Sequence, residues 1–185
     1  MKLYFTVIGV AMALVAALNA LTGLASPLYA IIATVWCTAL QFALDALIAL
    51  IIHALPNSRF SADDPRFAVS EREKALYKRL RVRAWKDKVW ELGGLGGFSK
   101  SSFASPSDPA YVERFIVESN KGVVTHRLSY PIGFLAMLTL PNICAFTIAL
   151  PVALVNLFLN VLPTLVLRYN TPKLQAVLMR LRRRG

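Results

Sequence analysis

The sequence predicts an all-α, polytopic integral membrane protein: about four membrane helices with a cytoplasmic amphipathic helical segment. Three observations carry that prediction. Of 185 residues, 56% are hydrophobic, against about 45–50% in an ordinary soluble domain. The excess lies in long uncharged runs at both ends of the chain. Between those runs the chain is polar and rich in Lys and Arg. The spans leave room for one compact unit. The expected organisation is two N-terminal spans (residues 1–55), a basic interfacial segment (56–127), two C-terminal membrane elements (128–167) and a basic tail (168–185).

The net charge is +11 and the pI about 10.1. In a multi-span protein the positive-inside rule is sufficient to explain that balance. A basic surface also suits anionic lipid or an acidic partner. A nucleic-acid partner is not expected, because the chain has no zinc-ligand spacing and no recognised RNA-binding motif. Cys37 and Cys144 lie in apolar runs without a CxxC or CxxH companion. They read as buried thiols, and no metal or cofactor is implied.

Taken in order, the first span covers residues 3–21, ending before Thr22 and Gly23. Its apolar run exceeds the usual 7–15 residues of a signal-peptide core, so it reads as a retained span. Ser26 followed by Pro27 is a helix start, with Ser as cap and Pro first. The second span, residues 27–55, is longer than a hydrocarbon core of about 30 Å requires. It contains Gln41 and Asp45 and closes on His53.

Ser70 with Glu73 fits a capping box. The helix it opens carries Leu76, Leu80, Val82, Trp85, Val89 and Leu92 on one face and Lys or Arg on the other, the pattern of a helix lying in the membrane surface. The glycine-rich stretch 93–100 is not a P-loop. It is either a flexible connector or a backbone loop that approaches a ligand. Asp108 and Pro109 open another helix, with Val112, Phe115 and Ile116 as its apolar stripe.

Residues 128–167 carry no charge and suffice for two crossings joined by a turn. Pro141 with Asn142, or Leu150 with Pro151, marks that turn, and the first pair is preferred. Four crossings put both termini and the basic segments on the cytoplasmic side of the cell membrane.

Two histidines, His53 and His126, then fall near the cytoplasmic boundary, where either can act as general base. Glu118 lies eight residues before His126. On a continuous helix they sit about 80° and about 12 Å apart, so a direct hydrogen bond requires a bend, for which Gly122 is the candidate. Asp45 is the carboxylate inside a span. It is either functional or paired with Asn156, Asn160 or another polar group in the bundle. Arg168, Tyr169 and Asn170 end the fourth span at the boundary.

Three pieces of the chain resemble the glycosyl-4,4'-diaponeurosporenoate acyltransferase family, the last step of staphyloxanthin-type carotenoid synthesis. Arg83, Trp85, Lys86 and Lys88 resemble an R-x-W-K-x-K run. Residues 118–126 resemble E-T-x-x-x-E-L-x-H-W up to its histidine. Residues 168–174 resemble R-Y-N-R-P-R-L, with Asn160 upstream. Order and spacing agree over residues 56–185. Val123 stands where the family has an acid, and Arg127 where it has Trp. The resemblance implies transfer of a fatty acyl group to a sugar hydroxyl on a lipid-like glycoside.

Together these readings give an acyltransferase acting from an acyl thioester, either acyl carrier protein or acyl-coenzyme A, on a glycolipid acceptor. His126 is the expected base, with Glu118 orienting it. Asn160, Arg168, Tyr169 or Asn170 is the expected oxyanion donor. Trp85 and Lys86 are expected at the donor or the membrane interface, and Asp45 and His53 at the substrate. A covalent route is not favoured, since Ser99 and Ser119 sit in no nucleophile motif. The competing class is a non-enzymatic protein that binds or transports a glycolipid.

Overall fold

The computed structural model describes residues 2–89, 105 and 107–184, and among these every regular element is helical. The order is α1 (Lys2–Leu21), α2 (Pro27–Ala54), α3 (Glu71–Arg79), α4 (Val82–Trp85), α5 (Pro109–Ile132), α6 (Asn142–Cys144) and α7 (Leu150–Arg182). Among the described residues, three apolar segments are long enough to cross a membrane: Tyr4–Leu21, Pro27–Ala54 and Asn142–Arg182. The glycine-rich stretch, with Leu92 and Ser99, lies outside the described residues.

The chain divides into two units. The first combines Met1–Leu50 with Arg127–Val161. Here α1 ends on Gly23, whose φ of +71° is the left-handed conformation that glycine adopts without steric cost. α2 starts as expected, with Ser26 Oγ accepting from the Tyr29 N–H at 3.4 Å. Small side chains let the helices approach closely: Cys37, Ala136, Ala149 and Val152 form one core cluster, and Ala33, Cys144 and Ile148 another. α1 keeps Phe5, Leu14 and Leu18 exposed, a surface suited to lipid rather than water. Asn19 ties it down, donating to the Thr147 carbonyl at 2.9 Å.

The break in the C-terminal apolar run falls at Pro141 and Asn142, the preferred pair. Pro141 is extended and Asn142 has φ +48°, a value that asparagine tolerates better than most residues. On its N-terminal side α5 runs through the expected polar–apolar boundary without interruption and tightens into a 3₁₀ helix over Gly133–Thr139. Pro131, inside α5, lacks the amide that would continue the ladder. The 3₁₀ winding stretches residues 128–139 to about 22 Å, where an α-helix would give about 18 Å. Either value is short of the roughly 30 Å core. Beyond the break, a π turn over Ala145–Ala149 leads straight into α7.

The second unit combines Ile51–His126 with Leu162–Gly185. Its core sets Ala62 and the α5 stripe residues Val112 and Ile116 against Leu178, with Leu174, Val177 and Leu181 around them. The N-terminus of α5 is capped as read from sequence: Asp108 Oδ1 accepts from the Ala110 N–H at 2.9 Å.

Two expectations are corrected here. The basic residues after Leu167 are no detached tail but the continuation of α7 to Arg182, because Leu178 is buried against α5 and Arg182 bridges Asp63 and Glu113. The single amphipathic helix from Ser70 onward is also broken. α3 stops at Arg79 and Arg81 takes φ +50°. The short α4 buries Val82, while Leu76 and Leu80 stay exposed.

Candidate active site

In the second unit, the C-terminal end of α2 presents His53 to α5. His53 Nδ1 lies 3.7 Å from Glu118 Oε2. Glu118 also faces Lys121, one turn along α5, whose Nζ is 3.8 Å from Oε1. Exposure falls steadily across the three side chains, from 48% at His53 through 15% at Glu118 to 5% at Lys121. The imidazole is therefore the end that a substrate can reach. Lys121 lies buried with its ammonium 5.8 Å from the centre of the Phe60 ring. The turn carrying that ring is pinned to α5 by Asn120, whose amide donates to the Phe60 carbonyl at 3.1 Å.

α5 is continuous through Gly122, so the bend that a direct Glu118–His126 bond would need is not made. His126 is half-buried on the same helix, about 12 Å further along its axis. The carboxylate expected to orient His126 instead faces His53 and Lys121. Lys121 was not singled out by the sequence reading, although its i+3 spacing from Glu118 is a visible signal.

Arg168 occupies a separate cluster. Its Nη1 donates to the Phe67 carbonyl at 2.7 Å and its Nη2 to the Ala68 carbonyl at 2.9 Å. Nε and Nη2 fork onto Glu73 at 3.1 and 2.6 Å. One Nη1 hydrogen remains of the five that a guanidinium carries. Glu73 also accepts from the Ser70 N–H, completing the expected capping box, and from the Tyr77 hydroxyl at 3.0 Å.

Burial works against the Glu73 charge, yet the hydrogen bonds from Arg168, the Ser70 backbone and Tyr77 outweigh it and hold the carboxyl below its usual range. Burial also pushes Tyr77 up to about 12, reinforced by its bond to Glu73 and by that residue's charge. Tyr169 stands edge-on to Tyr77, ring centres 6.3 Å apart, with Lys173 Nζ 4.1 Å from its ring centre. Asn170 is half-buried beside it.

Of the remaining expected site residues, Trp85 donates from Nε1 to the Leu80 carbonyl at 2.9 Å, and Lys86 pairs with its neighbour Asp87. Asp45 and Asn160 belong to the first unit, where Asn160 Nδ2 donates to Asp45 Oδ2 at 3.2 Å. Among the described residues no group of three or more His, Cys, Asp or Glu is placed to hold a metal ion.

Among the described residues every regular element is helical and three helices are apolar and long enough to cross a membrane; with a histidine beside a carboxylate, these are the features of a class, a helical membrane protein. A family model makes the class specific. Residues 56–180 match the model for glycosyl-4,4'-diaponeurosporenoate acyltransferase (CrtO). The chain belongs to that family, and it is an acyltransferase rather than a carrier. Residues before 56, and with them His53 and Asp45, lie outside the match. No curated protein and no solved structure matches the chain.

Proposed function

We propose that the protein transfers a fatty acyl group from an acyl thioester, on acyl carrier protein or coenzyme A, to a sugar hydroxyl of a carotenoid glycoside or related glycolipid. The observation that carries the chemical part of this reading is the placement of His53 against Glu118 at 3.7 Å. That distance is too long for a hydrogen bond, and such contacts commonly tighten when substrate binds. Once that contact tightens, Glu118 holds the imidazole by Nδ1, which leaves Nε2 for the substrate hydroxyl. Nε2 takes the hydroxyl proton as the oxygen attacks the thioester carbonyl carbon. The C–O bond forms, the C–S bond breaks, and the proton passes to the departing sulfur. Tyr169 or Asn170 is the candidate donor to the oxyanion. Arg168, whose donors are engaged with Glu73 and two carbonyls, organises the fold around it.

A second reading keeps the base at His126. It is favoured by the position of that residue in the stretch 118–126, inside the family match. The basic surface, net charge +11, supports an acidic carrier protein or the phosphates of coenzyme A as donor. The same charge distribution supports a multi-pass arrangement with both termini cytoplasmic and the apolar stretch 128–140 as a fourth membrane element.

The test is acyl transfer by purified protein in detergent, with radiolabelled acyl carrier protein and acyl-coenzyme A offered in parallel to a carotenoid glycoside. Loss of product in His53→Ala and Glu118→Gln, with His126→Ala active, establishes the first reading. Loss in His126→Ala alone establishes the second. Absence of product from either donor with folded wild-type protein overturns both.

A further inference from the structure

Inside the first unit, three polar side chains meet in a stretch otherwise built of apolar helix. Asn160 Nδ2 donates to Asp45 Oδ2 at 3.2 Å and contacts Asn156 Oδ1 at 3.2 Å, so one amide nitrogen holds a side chain from α2 and another from its own helix. The far ends of those two side chains are left over. Asp45 Oδ1 and Asn156 Nδ2 are both covered, and neither has a hydrogen-bond partner.

Glycine at position 133 lets the backbone pass close beside this arrangement: a Cβ there would stand 3.1 Å from Asn156 Nδ2. Gln41, from α2, donates to the Gly133 carbonyl at 3.3 Å and closes the other side.

An unpaired buried polar atom costs about 1–3 kcal/mol, and within a bilayer core no bulk water is at hand to relieve it. Two such atoms, on side chains that share the Asn160 amide as a partner, are hard to account for as packing, since Leu at position 156 would remove one of them. Their chemistry is complementary: Asp45 Oδ1 accepts, and Asn156 Nδ2 donates. A single hydroxyl satisfies both, giving its proton to the carboxylate oxygen and accepting from the amide through its own oxygen. A ketone, ether or ester oxygen satisfies only the amide, and an ammonium only the carboxylate. Asp45 and Asn156 are each half-buried, so neither residue is sealed from the surface of the unit.

We infer that Asp45, Asn156 and Asn160 form a binding site for a hydroxyl of a membrane-dissolved amphiphile, with Gly133 keeping any side chain away from Asn156 Nδ2. The inference stands on the first unit alone and does not depend on which histidine takes part in acyl transfer.

The experiment is equilibrium binding to the full chain in lipid nanodiscs, without acyl donor. The probes are a tritiated long-chain alkyl β-glucoside and its permethylated counterpart, which retains every oxygen and can donate no proton. The expected result is saturable binding of the glucoside, at least tenfold weaker binding of the permethylated probe, and a comparable loss for the glucoside in Asp45→Asn and Asn156→Leu. Equal binding of the two probes by wild-type protein overturns the inference and needs no variant. So does unchanged glucoside binding in folded Asp45→Asn, which would leave the cluster a structural clamp or a water site. Because no acyl donor is present, failure of the transfer reaction leaves the outcome intact. Transfer activity that is indifferent to Asp45 does not rescue a failed binding result.

Discussion

The second unit contains two charged clusters built from similar residues and put to opposite use. Around Arg168 almost every donor and acceptor is matched at ordinary hydrogen-bond distance, from 2.6 Å to Glu73 Oε2 to 3.1 Å to Glu73 Oε1, and the guanidinium is buried. Around Glu118 the contacts are long, 3.7 Å to His53 and 3.8 Å to Lys121, and the outer imidazole is half exposed. The first cluster is nearly complete: it ties α3 and the turn before it to α7, and four of the five guanidinium hydrogens are engaged in doing so. The second is looser, with both contacts beyond hydrogen-bond distance, and that looseness is what the proposed role of His53 rests on. A buried charge with all its bonds made contributes structure, while a histidine held loosely at the edge of a buried ion pair remains available to exchange protons.

The comparison breaks most sharply at Arg168. Arg168→Ala leaves the half-buried Glu73 without its cation and strips the Phe67 and Ala68 carbonyls of their donor. A loss of about 3–5 kcal/mol is expected, the usual result of breaking a buried pair, read as a large fall in thermal midpoint in detergent. Unchanged stability would make the cluster peripheral.

Glu118→Gln should behave in the opposite way. Activity falls about 10²-fold or more, the scale of general acid–base catalysis, with a thermal midpoint close to wild type. A large stability loss with proportionate activity would place Glu118 with the structural cluster.

The Glu73 cluster also carries a pH signature. Tyr77 is raised from 10.0 to about 12, so its contribution to stability is complete below pH 10 and is lost as pH rises through about 12. Glu73 is lowered from 4.5, so its contribution is present above pH 4.5 and is lost as the medium turns more acidic than the folded pKa. Chemical denaturation of Tyr77→Phe should therefore lack the alkaline decline of the wild type while keeping the acid one.

Two smaller effects complete the series. Arg182 bridges Asp63 and Glu113 while remaining 39% exposed, so Arg182→Ala should cost no more than about 1 kcal/mol. Arg81→Gly, at φ +50°, should be neutral or stabilising by up to about 1 kcal/mol, because glycine takes that conformation without steric penalty. Destabilisation there would show that the Arg81 side chain makes contacts outweighing its strain.

The features legible in the amino-acid order are those with a local cause. A run of apolar residues long enough to cross a membrane, Ser70 and Glu73 closing a capping box, Asp108 before Pro109, and the break at Pro141 and Asn142 all act within a few residues of chain. The all-helical class and the family-like stretches followed from such signals. The interruption at Arg81 was missed because periodic spacing continued across it, and backbone geometry overrode the pattern. The full length of α7 was not legible because Arg168, Tyr169 and Asn170 read as the end of a span, while burial of Leu178 against Val112 and Ile116 accompanies the helix on to Arg182.

The pairings were the least legible. Many lysines, arginines and carboxylates along the chain are equivalent as letters, and sequence spacing ranks only those within a turn of each other. That His53 reaches Glu118, that Arg168 closes on Glu73 across 95 residues, and that Asp45 meets Asn160 across 115 depend on how helices from distant parts of the chain pack. The sequence by itself determined which segments are helical, which are apolar enough for a membrane, and to which family the chain belongs. Tertiary structure alone decided which charges are matched and which stay open, because burial and distance are properties of packed helices and not of any one of them.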